Sequence, residues 1–112
     1  MAKNELIPGT LDMLVLRVLN GGSTHGWGIA QRIDVLSSEM LKVEEGSLYP
    51  ALYRMEQKGW LESEWGQSEN NRRAKFYTLT KAGRKQLEAE QKMWDQLVFA
   101  IGQVMRPRAE SP

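Results

Sequence analysis

The C-terminal end constrains this chain more than any other part of it. From Thr80 to Met105 there is no proline, and Pro107 closes the stretch. Within it Leu87, Glu90, Trp94, Leu97, Ile101 and Val104 recur at alternating steps of three and four, the spacing that lines side chains along one coiled-coil seam. Val98 and Met105 widen that seam. With Thr80 as N-cap, a helix ending at Met105 would be about 38 Å long, at about 1.5 Å per residue. The whole chain has 112 residues, a single small domain with little stability to spare. Such a helix overshoots the core available to it, and its far turns would hold an apolar stripe in solvent. A second copy of the chain is the expected cover.

Upstream, Leu11 to Leu19 reads as a first helix. Thr10 is placed as its N-cap, Asp12 puts a negative charge in the first turn, and Asn20-Gly21-Gly22 is a stop signal. Seven of the nine residues from Leu11 to Leu19 are apolar, more than one buried stripe requires. This helix is therefore expected to touch its own core on one side and another body on the other; a buried strand is the competing reading. His25 to Leu36 gives a second short helix with Ile29, Ile33 and Leu36 on one face. In Glu45 to Gly59, Ser47 is placed as the cap so that Pro50 falls in the first turn, where its missing N–H is harmless. Leu48, Leu52 and Met55 then face the core, Tyr49, Tyr53, Arg54 and Gln57 face outward, and Gly59 takes the position just past the helix end. Trp60 to Trp65 and Lys75 to Leu79 alternate as two strands, joined by the polar loop Gly66 to Ala74.

Composition removes most chemistries. Cysteine is absent and histidine occurs once, as His25, so disulfides and thiolate metal sites are excluded and no metal or cofactor is expected. His25 reads as a loop or helix-start packing residue. Glu62 and Glu64 share one face of a strand, a solvated edge more than an acid–base pair. No glycine-rich phosphate loop follows a strand, and no nucleophile has a neighbouring base. A binding protein is expected rather than an enzyme, with no catalytic residues. Apolar residues make up 41% and charged residues 26%, values of a folded soluble chain. No run approaches the ~18 consecutive apolar residues of a membrane span, and the N-terminus lacks the layout of a signal peptide, so no membrane partner and a cytoplasmic location are expected.

Net charge is only +1, but it is segregated. Arg72, Arg73, Lys75, Lys81, Arg84 and Lys85 occur with no acid among them, flanked by Glu62, Glu64 and Glu69 before and Glu88, Glu90 and Asp95 after. Such a segment presents an anion-binding surface on a near-neutral chain. Three helices, a hairpin and a long helix is the element order of a winged helix-turn-helix, an α+β, mainly α fold. In that fold the third helix enters the DNA major groove, and the hairpin tip, or wing, reaches the backbone or minor groove.

Three segments sharpen this. His25-Gly26-Trp27-Gly28-Ile29, Glu45-Gly46-Ser47-Leu48-Tyr49-Pro50-Ala51-Leu52 and Tyr77-Thr78-Leu79-Thr80-Lys81-Ala82-Gly83 follow in that order. Through them the sequence resembles the PadR family of bacterial transcriptional regulators, in its short form with one C-terminal helix. The resemblance spans about Leu11 to Met105, and Trp27 stands where the family usually has Tyr. It implies a homodimeric repressor in which the C-terminal helix exchanges with the partner's N-terminal helix. It also implies, for some members, a hydrophobic or phenolic effector near the dimer interface.

The expected organisation is a winged helix-turn-helix over residues 1–79, a dimerisation helix over 80–106 and a disordered tail over 107–112. Double-stranded DNA with a palindromic operator is the expected partner, held by Ser47, Tyr49, Pro50, Tyr53, Arg54, Arg72, Arg73 and Lys75. Lys81, Arg84 and Lys85 either reach flanking phosphates or solvate the helix start. Met13, Leu14, Leu16, Trp94, Leu97, Val98, Ile101 and Met105 are expected at the dimer and effector surface. There Trp94 either packs plainly or stacks on a planar ligand. Trp27, Trp60 and Trp65 are read as core or sheet-packing residues. The alternative function is a winged-helix sensor for a protein or small molecule that does not grip DNA.

Overall fold

A computed structural model describes residues 9–107. The elements run α1 (Leu11–Asn20), β1 (Thr24–His25), α2 (Gly26–Leu36), α3 (Glu45–Gln57), β2 (Leu61–Gln67), β3 (Arg73–Leu79) and α4 (Lys81–Met105). The expected winged helix-turn-helix order is present. Among the described residues it includes a short strand, β1, that pairs antiparallel with β3 and places the sheet in the order β1-β3-β2. Most of the expected tail, residues 108–112, lies outside the described residues.

The core gathers one stripe from each helix and the base of the hairpin. Val15, Leu16, Val18 and Leu19 of α1 meet Ile29 and Ile33 of α2, Leu48, Leu52 and Met55 of α3, and Leu61 and Leu79 of the strands. Leu87 extends this core into the second turn of α4. Leu36, expected beside Ile33, is instead exposed at the last position of α2.

Local chemistry explains the helix ends. Thr80 accepts from the Gly83 amide at 3.0 Å and donates to the Gly59 carbonyl at 2.7 Å, capping α4 and tying it to the end of α3. Gly59 adopts φ 79°, and the Trp60 and Gly59 amides bond back to the Met55 and Glu56 carbonyls, the paired bonds of a left-handed helix stop. Gly83 packs so closely on the Trp60 carbonyl that any β-carbon there would collide with backbone.

Two expected caps are revised. Thr10 occupies the N-cap position of α1, but its side chain makes no capping hydrogen bond; the cap position has helical φ and ψ, and its carbonyl receives the Leu14 amide. Helix α3 starts at Glu45 with Glu44, not Ser47, in the extended N-cap conformation. Pro50 is therefore the sixth helical residue, beyond the first turn. It is tolerated because the bond it omits would reach Gly46, and both residues lie on the solvent face.

Candidate nucleic-acid interface

The hairpin places its chemistry by alternation. Register pairs Leu61 with Leu79, Ser63 with Tyr77, Trp65 with Lys75 and Gln67 with Arg73, so these eight residues share one face. At its base that face is core; at its tip it is cationic and aromatic. Trp65 and Arg73 stand on adjacent rungs, with the Arg73 guanidinium 4.7 Å from the Trp65 ring centre. One rung down, the Lys75 ammonium lies 5.9 Å from the Tyr77 ring centre. The strands run longer than expected, so the wing tip shrinks to Ser68–Arg72. A turn closes it, with a 2.8 Å bond from the Ser68 amide to the Arg72 carbonyl and Asn71 at φ 59°.

Helix α3 is bonded to the wing rather than merely placed beside it. Glu56 accepts a 2.6 Å hydrogen bond from the Ser63 hydroxyl and pairs with the Lys75 ammonium at 3.3 Å. The Ser63 hydrogen bond and the Lys75 charge hold the Glu56 carboxyl below its ordinary value, against an opposing push from burial. Tyr77 shifts the other way, its hydroxyl pushed up chiefly by burial. A groove of ≈ 600 Å³ opens between the start of α2 and the wing, lined among others by Trp27, Tyr49, Trp65, Arg72 and Arg73. His25 supports its floor. The imidazole Nδ1 accepts from the Gly28 amide at 3.1 Å and so caps α2, while Nε2 lies 3.6 Å from Glu69 of the wing tip.

The outer face of α3 carries Ser47, Tyr49, Pro50 and Tyr53, all exposed. The Tyr49 ring leans over Gly26, where an added β-carbon would sit 2.7 Å from it. The glycine after His25 is thus the space Tyr49 needs. Arg72 and Arg73 are exposed, as expected of a wing.

Together these features form one surface: a helix edge of small polar and tyrosine side chains, a groove, and a cationic hairpin. The family model described as the PadR-like transcriptional regulators matches residues 15–89. This chain belongs to the PadR-like family. It is a family of transcriptional regulators rather than enzymes, and DNA-binding regulation is its general activity. A PadR family transcription regulator from Clostridium difficile shares 30% identity and a TM-score of 0.74, covering 88% of this chain and 100% of that one. A transcriptional regulator from Clostridium thermocellum shares 26% identity and a TM-score of 0.79, over 88% and 95% of the two chains. An uncharacterized protein from Lysinibacillus sphaericus is 28% identical over 94 residues, which is 84% of this chain and 86% of that protein.

Several site residues sit differently from the sequence expectation. Arg54 does not stand free on α3 of this PadR-like chain; it is hydrogen-bonded to Asp12 at the start of α1. Lys75 is likewise engaged, by Glu56. Leu16, expected at the dimer surface, is 0% exposed and belongs wholly to the monomer core. Met13 and Leu14 are half-buried, so α1 does present a partial second face. Trp27 and Trp65 are 53% and 59% exposed, not core residues, and both line the groove. Trp60 is half-buried against the core as expected.

Sequence reasoning missed Trp27, Trp65, Glu56 and the His25 cap. A signal for Trp65 was present: a strand that alternates sides puts it on the same face as Lys75. Glu56 carried no such signal, since its partners lie seven and nineteen positions away on other elements. Beyond Leu87 the long helix holds nothing of its own core. Every residue from Gln91 to Gly102 is exposed, including Trp94, Leu97, Val98 and Ile101, and so is Met105. No helix among the described residues is long and apolar enough to cross a membrane.

Proposed function

We propose that this chain is a cytoplasmic, homodimeric repressor that binds a palindromic operator. Each α3 enters the major groove through Tyr49, Pro50 and Tyr53, with half-sites about 34 Å apart. Ser47 and the amides at the α3 start hold a phosphate oxygen, and Arg72 and Arg73 neutralise the flanking backbone. Lys75, bonded to Glu56, sets the wing against α3 more than it touches DNA. Arg54 ties α3 to α1 and so links the groove-facing helix to the dimer surface. Residues 1–79 act as the DNA-binding unit and 80–106 as the dimerisation helix, with Met13 and Leu14 of one copy on Trp94, Leu97, Val98, Ile101 and Met105 of the other. A planar aromatic or hydrophobic effector stacks on Trp94 and relieves repression.

The observation that carries this reading is that the cationic wing face and the tyrosine edge of α3 open on one groove. An interaction module without DNA would have no need of the cations that stand among the aromatic rings there. A purely apolar stripe lies on α4, where Trp94 is the least exposed of the large apolar side chains beyond Leu87.

Selection of bound duplexes from a genomic fragment pool should return a palindrome with half-sites one helical turn apart. Arg72→Ala with Arg73→Ala should weaken binding to every sequence and lower the salt slope by about 0.9 for each phosphate no longer neutralised. Tyr53→Ala should change which sequence is preferred. Unchanged binding of the arginine double variant at several salt concentrations would refute the assignment. Titration with planar aromatic compounds should quench tryptophan emission in the native chain and not in Trp94→Phe.

A further inference from the structure

We propose that Trp65 is a positioning residue for DNA binding: its ring holds the Arg73 guanidinium in place on the wing before a duplex arrives. The proposal rests on the DNA-binding reading above and adds a residue to it. A tryptophan 59% exposed on a hairpin contributes little to the core and leaves a large apolar ring in water. Its partner explains the placement. Register sets Trp65 opposite Lys75, which makes Arg73 its diagonal neighbour on the same face, and the guanidinium sits 4.7 Å from the ring centre. The next cation down the same face, Lys75, stands over Tyr77 in the same manner.

Stacking leaves the arginine free to act. A cation over a ring uses the flat face of the guanidinium, whereas phosphate is gripped by the N–H groups around its edge. Trp65 therefore does not compete with a phosphate for the same donors. An unrestrained arginine side chain loses rotamer freedom on binding, and a pre-ordered one loses less. Trp65 makes Arg73 a fixed anchor in the groove that Trp27 and Tyr49 also line.

The test is binding of the selected duplex, followed by fluorescence anisotropy at several salt concentrations, with a thermal melt of each variant. Trp65→Ala should weaken binding about two- to fivefold for each wing engaged, the range set by an exposed cation–ring contact. Its salt slope should match the native chain, since Arg73 still reaches phosphate; Arg73→Ala should lower the slope. Trp65→Phe keeps a ring and should keep most of the affinity. In an Arg73→Ala background, Trp65→Ala should have no further effect. Native affinity in Trp65→Ala, or an undiminished loss in the Arg73→Ala background, overturns the proposal while leaving the DNA-binding reading intact. Failure of the native chain to bind any duplex overturns that reading instead.

Discussion

The wing and the far half of α4 are both exposed, yet they are finished to different degrees. On the wing, several side chains of the groove face have partners within the monomer: Arg73 over Trp65, Lys75 on Glu56, Ser63 on Glu56. On α4, Leu97, Ile101 and Val104 are 50%, 51% and 81% exposed, an apolar stripe left uncovered by the described residues. Polar and cationic groups remain satisfied in water, so the wing needs no cover. Apolar area does not, and its exposure is the basis of the dimer proposed above. On the proposed reading, the PadR-like chain carries one site complete in the monomer and one that is half of a site.

The largest effect should come from the unfinished region. Leu97→Asp with Ile101→Asp should convert the dimer to folded monomers in sedimentation equilibrium. Operator affinity should then fall about a hundredfold or more, because the second half-site is no longer tethered to the first. A variant that stays dimeric would break the contrast at its root.

A sharper cut lies within α1, where half-buried Met13 and Leu14 precede buried Val15 and Leu16. Leu16→Ala should lower unfolding stability by about 2–5 kcal/mol, as a cavity in the monomer core. Met13→Ala should leave the monomer nearly unchanged and weaken association instead. Equal losses from the two in denaturant titration would mean that α1 does not divide its faces between core and partner.

The smallest effect tests how the wing is held. Glu56 has a lowered carboxyl in the folded chain, so its ionised form adds stability above the unfolded value of about 4.3, and that stability is lost as pH falls through the lower folded value. Glu56→Gln should therefore be less stable than the native chain at neutral pH. The gap between them should shrink as the medium is acidified below about pH 4. A gap that does not depend on pH would show that the carboxylate's charge plays no part in fixing the wing to α3.

Much of this was legible in the residues. Periodicity placed every long helix, because buried faces repeat at helical spacing whatever the partner, and the Thr80 and Gly59 ends followed from caps that are local by nature. Three quoted motifs located the family, and two of their glycines prove to be spaces: Gly26 for the Tyr49 ring, Gly83 for the Trp60 carbonyl. The eight residues named for DNA contact come from α3 and the wing, and most are exposed there. The partners of Arg54 and Lys75 were not legible, because helical and strand periodicity say only which side a residue faces, not which distant carboxylate waits there.

Leu16 shows the same limit from the other direction. A helix apolar nearly all round announces two apolar surroundings, but the sequence does not say which residue faces which. Sequence by itself determined the four helices and the hairpin, their order, the family and the apolar seam, since each rests on neighbours within a few positions; β1, which exists only by pairing with β3, came from the structure. Only the tertiary structure decided that Asp12 holds Arg54, that Glu56 locks the wing, and that Trp65 serves Arg73 instead of the core. Those pairings depend on how elements far apart in the chain are packed, and a charge or a ring takes its partner from space, not from spacing.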